Sequence, residues 1–470
     1  MKKESAKQLA KRKEREARQL ARLQAENSSN HRLHSFWFLL VILTVVYIAD
    51  EISSNMAGTM KPYMIFDLFN IPNADTKSAA YSSAISVMAI ATIPTYLTLA
   101  INPLYKTLCD RYGRKIFLVI NTLGTGVGML ISMIAPNPYI FVLGTCITGF
   151  FTPNDVQVIY LMETAPIHHR AKLCSITKGI GLLSVSLIGV FRSMFYDPAK
   201  LSTWRLVYLI PVLIAIAIGI FAMVFTRETP VFMEKRLKYL QQSDEERAAE
   251  EAKGEESSGG GIGEAFRYIK RSHQLKMLIL VIFVFSVGVG LSGYSTEILL
   301  AAGHLSDADM NTFYILEPIV YAICAFFSGF ATDTLGRKNS GMLFGILAAI
   351  GMATFVIGAK AGLSAVALAL ANGLMFGGMW SLSDLLFITL PGELAPTHIR
   401  ASVMSLVSYA YISNLIVSML VGIFYPAIGS ANIGIFQLCL FAPIMIFSVV
   451  ILKLKIKETK DTDLTQVTLD

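Results

Sequence analysis

The chain has 470 residues, of which 54% are hydrophobic and 16% charged, with a mean hydropathy of +0.56, a balance outside that of a soluble domain of this length. The formal charge is +7, but the Lys and Arg residues lie in the tails and alternate loops and form no single stripe, so they report membrane topology and not nucleic-acid binding. The five cysteines (Cys109, Cys146, Cys174, Cys324, Cys439) each fall in an apolar segment or an expected cytoplasmic loop, which implies neither a disulfide framework nor a zinc site.

In chain order, residues 1–34 form a charged Lys/Arg/Glu/Gln/Ala-rich leader, read as a solvated cytoplasmic extension near anionic lipid. The first apolar stretch, from Phe36, is too extended for a signal-peptide core and reads as a spanning helix. Apolar segments of spanning length follow at 36–60, 79–105, 116–136, 138–162, 172–195 and 204–226, then 274–302, 311–332, 340–359, 363–390, 402–426 and 430–453. The predicted fold is therefore all-α, with twelve transmembrane helices in two six-helix bundles spanning 35–226 and 274–455. A charged, Gly- and Ser-containing linker at 227–273 reads as flexible and cytoplasmic with helical pieces, and a tail at 456–470 closes the chain. Basic residues crowd the leader, the second and fourth loops, the linker, Arg337 and Lys338, Arg400 and the tail, which predicts cytoplasmic termini.

Three motifs recur between the halves. ETAPIHHRA from Glu163 matches ELAPTHIRA from Glu393, DRYGRK from Asp110 matches DTLGRK from Asp333, and RETP from Arg227 matches KETK from Lys457. In each DRYGRK-type loop, Gly113 or Gly336 permits a tight turn, while Asp110, Arg111, Arg114, Asp333 and Arg337 can pair with one another and with helix ends. With Glu163, Arg170, Glu393 and Arg400 they form a candidate gate. No G-x-x-x-x-G-K-[ST] occurs, and the GGGIG run at Gly259 lacks a preceding strand, so ATP hydrolysis by a phosphate loop is not expected.

With these motifs the chain resembles the major facilitator superfamily over essentially all twelve segments, and within it the sugar-porter-like branch. That branch carries G-x-x-x-D-R-x-G-R-K after its second helix. Here Lys106 replaces the leading Gly of the first copy and Thr334 the first Arg of the second, while Gly329, Asp333, Gly336, Arg337 and Lys338 fit. The resemblance implies parallel repeats related by an axis along the membrane normal, with helices one, four, seven and ten lining a central cavity. It also implies that Asp50 and Glu51 are the proton-coupling residues, with Asp50 taking the coupling proton. The family's sugar-contacting positions fall at Leu143, Lys178, Phe283, Val284 and Ile388, which are poor hexose ligands, so sugar is disfavoured as a substrate.

Ionisable groups inside spans cost a few kcal/mol and usually face a cavity. Asp155, Lys178, Glu297 and Asp384 are accordingly candidate substrate-binding residues, Glu297 alternatively reaching the outer surface. Glu317 reads as interfacial and Arg192 as snorkelling outward. By position along their helices, Asp155 and Lys178 share a depth and are expected to pair, leaving Asp384 without a lysine. The expected function is secondary transport of a small organic metabolite, by proton-coupled symport of a carboxylate-bearing or polar solute. The alternatives are proton-driven export of organic cations or drugs, and sugar symport. No cofactor, metal, nucleic acid or enzymatic centre is expected, and the chain is expected to act as a monomer in the cytoplasmic membrane. A sensor or membrane-embedded enzyme would need a folded extramembrane domain or a nucleophile or metal cluster, and the sequence carries neither.

Overall fold

A computed structural model describes residues 14–21, 24, 36–93, 105, 108–109, 112–152, 156–166, 170–242, 262–396 and 399–460. Most of the leader, the linker core at 243–261, the tail end, and the candidate residues Asp110, Arg111 and Asp155 lie outside these. All regular structure among the described residues is helical. In a bilayer this follows from the backbone, whose N–H and C=O groups find no water and must be satisfied within a helix or a closed barrel.

The first helix, α1 (Phe36–Leu68), is longer than the 36–60 expected because it continues through Pro62, a residue that spanning helices tolerate. The extension carries Lys61, Tyr63 and Asp67 into the bundle. After it come α2 (Ala79–Ala91), capped by the Ser78 side chain, then α3 (Arg114–Met133) and α4 (Pro138–Phe151), capped by Asn137. The expected fourth span is described as two helices, α4 and α5 (Val156–Thr164), and the fifth as α6 (Arg170–Ser184) and α7 (Leu187–Phe195). A span over Leu201–Phe225 ends in α8 (Leu209–Phe225). Two linker helices follow, α9 (Pro230–Gln241) and α10 (Ile262–Arg271).

In the second half the expected seventh span is broken. α11 (His273–Gly290) stops, residues 291–294 are non-helical, and α12 (Ser295–Ala302) resumes. Next, α13 (Asp307–Leu335) opens one turn earlier than expected because Ser306 and Asp309 form a reciprocal capping box. It is followed by α14 (Arg337–Ala361) and by α15 (Ala365–Asp384). A single π turn over Leu385–Thr389 joins α15 to α16 (Leu390–Leu394). The last three helices are α17 (Arg400–Ser408), α18 (Ile412–Ile428) and α19 (Ser430–Lys455).

Ten helices among the described residues are long and apolar enough to cross a membrane, and α2 is a shorter apolar one. Their outward faces carry large apolar side chains such as Phe326, Phe327, Phe330 and Leu454, each more than half exposed, as a lipid-facing surface requires. Within the second half α14 and α19 pack together, and α15 packs on α13 and α14; α3 packs on α4 and α8 in the first. Between the halves, α2 meets α18 and α13 meets α6 and α7. These last contacts position the site.

Candidate functional site

α13 has 29 residues, so at 1.5 Å per residue its two ends lie about 43 Å apart. Asp307 marks one end, and Gly336 of the repeated motif follows the other.

At the Asp307 end the halves are joined. Arg192 of α7 is fully buried and sends Nη2 to Asp307 Oδ1 at 2.5 Å, with a further bond to Asn311. Its guanidinium lies 4.6 Å from the Tyr63 ring centre, 4.7 Å from that of Tyr196 and 5.7 Å from that of Tyr314. Such a flat, weakly hydrated cation is stabilised by both carboxylate and ring faces. The Tyr63 and Tyr314 hydroxyls meet at 3.3 Å. Lys61 of α1 reaches Glu297 at 2.7 Å and the carbonyl of Gly293 at 3.2 Å, with its ammonium 4.0 Å from the Tyr294 ring centre. Ser86 donates to the carbonyls of Gly422 and Ile423, and Ser430 to that of Thr76. The break at 291–294 exposes the Gly293 carbonyl to Lys61, because a residue outside the helical ladder has no intrahelical N–H partner.

Below this seal lies a cavity of about 190 Å³ lined from both halves, by Ser54 and Thr59 of α1, Ile188 of α7, Ser292 of the helix break, Glu317 of α13 and Trp380 of α15. Glu317 accepts from Asn372 Nδ2 at 2.8 Å, and Asn372 Oδ1 accepts from Ser295 at 3.2 Å. Further toward the motif end Lys178 of α6 meets Asp384 at 2.6 Å, each side chain about two-fifths exposed. Asp384 is the last residue before the π turn, a local distortion that redirects side chains and recurs at functional sites.

Asp50 faces the first half of the chain, where its Oδ2 accepts from Gln157 Nε2 at 3.0 Å. Beside them, Asn121, Thr122 and Thr125 complete a polar pocket of about 10 Å³, which is room for about one water. Neighbouring Glu51 points elsewhere, its Cγ close to Gly181 of α6.

At the motif end the repeats build the same network twice. Gly113 and Gly336 take φ of 114° and 82°, in the left-handed region. A Cβ at either would collide with a carboxylate, that of Glu228 or Glu458. Each carboxylate sits on the amide N–H groups that open a helix. Glu228 Oε1 accepts from Arg114 N at 2.8 Å and Lys115 N at 3.2 Å, while Glu458 accepts from Arg337 N at 2.8 Å and Lys338 N at 3.1 Å. Arg114 binds Glu163 at 3.0 Å, and Arg337 binds Glu393 through Nη2 at 2.6 Å and Nε at 3.1 Å. Thr229 and Thr459 each donate to the second oxygen of that Glu at 2.5 Å. For Glu458, partial burial opposes ionisation, but four backbone donors, from Lys338, Arg337, Lys460 and Thr459, outweigh it and hold the carboxyl below its usual value.

The structure thus joins Arg114, Glu163 and Gly113 in one cluster and Arg337, Glu393 and Gly336 in another. Asp333 lies 3.6 Å from Arg337 but is mostly exposed. Arg400 donates to the Ala395 carbonyl at 3.4 Å, and Arg170 opens α6 without a described side chain. Asp384 does have a lysine partner, Lys178, contrary to the sequence expectation. Equal depth fixed the height of Lys178, but its rotation about α6 turns it to the other half. Glu297 is 1% exposed and does not reach the surface. Arg192 is buried, not snorkelled. Glu317 lines the cavity, not the interface. Lys61 and Asp307 were missed because both lie just beyond the expected ends of their helices; the Ser306–Asp309 capping signal marked the true start of α13.

Other proteins share this fold. The chain is 25% identical over 390 residues to YwtG of Bacillus subtilis (strain 168), named as a metabolite transport protein, which covers 77% of this chain and 82% of that one. The xylose transporter XylE from E. coli in an inward open conformation superposes with a TM-score of 0.66 at 17% identity, covering 92% of this chain and 99% of that one. A bacterial homologue of the human lysosomal transporter Spinster, inward-facing and unoccupied, gives 0.57 at 17% identity, covering 88% and 94%. The pattern of the Major Facilitator Superfamily matches residues 35–417. The chain belongs to the Major Facilitator Superfamily, as a multi-pass membrane transporter and not an enzyme.

Proposed function

We propose that the protein is a proton-coupled carrier that moves a small polar metabolite across the cytoplasmic membrane by alternating access of two six-helix bundles, twelve spanning helices in all. The observation that carries this reading is a cavity of mixed polar and apolar lining drawn from both halves of the chain, beside charged contacts that join them. In this reading the motif end and both termini are cytoplasmic, in line with the basic loops, and the Arg192 end is the outer seal.

Asp50 is the proton carrier. It is a carboxyl on a spanning helix that accepts from the Gln157 amide and lies beside space for about one water. Glu51, on a different face of α1, tunes the packing of α1 on α6. A lysine on a spanning helix, such as Lys178, by itself favours a carboxylate-bearing solute. Its pairing with Asp384 neutralises that charge and leaves a polar solute as the better reading. The paired residues serve as a contact between bundles that opens and closes during the cycle, while the clusters around Arg114 and Arg337 each brace one bundle.

The test is uptake into proteoliposomes with an imposed pH gradient. Radiolabelled polar metabolites should accumulate with the wild-type protein, and Asp50→Asn should lose gradient-driven accumulation by more than tenfold while keeping exchange between labelled and unlabelled solute. Accumulation by Asp50→Asn equal to wild type and abolished by protonophore would remove Asp50 from the role, and indifference of the wild type to the gradient would remove proton coupling.

A further inference from the structure

The cavity holds one carboxylate without a cation. Among the described residues, Glu297 is matched by Lys61 at 2.7 Å and Asp384 by Lys178 at 2.6 Å. Glu317 has a neutral partner instead, the side-chain amide of Asn372 at 2.8 Å. That amide is fully buried and tied at its other end by Ser295 at 3.2 Å, so its NH₂ is pinned toward Glu317 Oε1. A neutral donor held in this way orients the carboxyl without balancing its charge.

A carboxyl within a membrane span is costly unless it pairs or faces a polar space that something else enters. Here that space is lined, besides Glu317, by the aromatic rings of Tyr321, Phe376 and Trp380 and by hydroxyls such as Ser54 and Thr59. Ring faces attract cations, hydroxyls accept from N–H, and a carboxylate pairs with an ammonium. The hydroxyls and the indole N–H can donate to either kind of solute, but no Lys or Arg lines the cavity among the described residues to balance an anion, and Glu317 opposes one.

We propose that Glu317 is the charge partner of an ammonium group on the transported solute, so that the cavity takes a small, amine-bearing polar metabolite. The proposal rests on reading this cavity as the transport site. The aromatic wall from Tyr321 to Trp380 covers the carbon skeleton, and Asn372 is a positioning residue that aims the carboxylate.

Thermal unfolding of the purified full-length protein, followed by intrinsic fluorescence, tests this with matched pairs of probes: ethanolamine against ethylene glycol, putrescine against butanediol, and glucosamine against glucose. At least one amine should stabilise the wild type with an apparent affinity about tenfold or more above that of its alcohol. Glu317→Gln should lose that preference, and Glu317→Asp, which keeps the charge, should retain part of it. An absence of preference for any amine in the wild type overturns the proposal, whether or not the variants fold. So does an undiminished preference in Glu317→Gln. Gradient-driven uptake of a neutral solute alongside no amine preference would sink the role of Glu317 and leave the carrier intact, whereas amine binding without gradient-driven uptake would do the reverse.

Discussion

The two ends of the molecule are held by different kinds of interaction. At the Asp307 end, charged groups pair between the halves: Arg192 with Asp307 and Lys61 with Glu297. At the motif end the strong clusters stay within one half, Arg114 with Glu163 and Arg337 with Glu393. Among the described residues, the repeated charge motif is thus not the seal in this conformation. It fastens each half internally and caps helix starts, while the residues that close the cavity come from unrepeated positions. A conformational change that separates the halves must break the first set and can leave the second intact.

The largest expected effect follows from Arg192, which is fully buried among three tyrosine rings. Removing one member of a buried pair costs about 3–5 kcal/mol. Asp307 is two-fifths exposed, so the penalty here is smaller, about 2–3 kcal/mol or a shift of roughly 30- to 150-fold toward the state open at that end. Nitroxide labels at Met194 and Ala308, measured by pulsed electron spin resonance, should move apart in Arg192→Leu. An unchanged distance distribution would mean that the seal does not depend on this cation.

A smaller net effect is expected of the paired exchange at Lys61 and Glu297, because it keeps opposite charges together at the buried Glu297 position. Lys61→Glu and Glu297→Lys should each lower transport and widen the same distance. The double exchange should recover about 1 kcal/mol of the combined loss, the usual coupling of residues in contact. Strict additivity would show the two charges to be independent.

The smallest effect belongs to the motif end and separates its two copies. Glu228 is 4% exposed while Glu458 is exposed, so Glu228→Gln should destabilise the protein visibly and Glu458→Gln only slightly. Because the folded protein holds the Glu458 carboxyl below its ordinary value of 4.5, the stability it adds is complete above that value. It is lost as the pH falls through the lower folded value. Wild type and Glu458→Gln should therefore differ slightly at neutral pH and converge in acid. Neither change should alter the Met194 to Ala308 distance. A change there would show that the motif end is coupled to the seal in this state.

Much of the fold was legible from the chain. Long apolar stretches can be stable only as helices in a bilayer, so span positions follow from hydropathy. The triple repeat marked Gly113, Arg114 and Glu163 and their counterparts as equivalent, and both clusters form. Boundaries were less legible: a helix that continues through Pro62 carries Lys61 into the bundle, and the break at 291–294 lies within one apolar run. Which charges meet was not legible at all. Spacing along a helix gives the depth of a side chain, but its partner depends on the helix rotation and on which neighbour packs there. Hence the meeting of Lys178 with Asp384 across the halves, the burial of Arg192 and a cavity carboxylate with no cation among the described residues became visible only when helices distant in the chain were brought together.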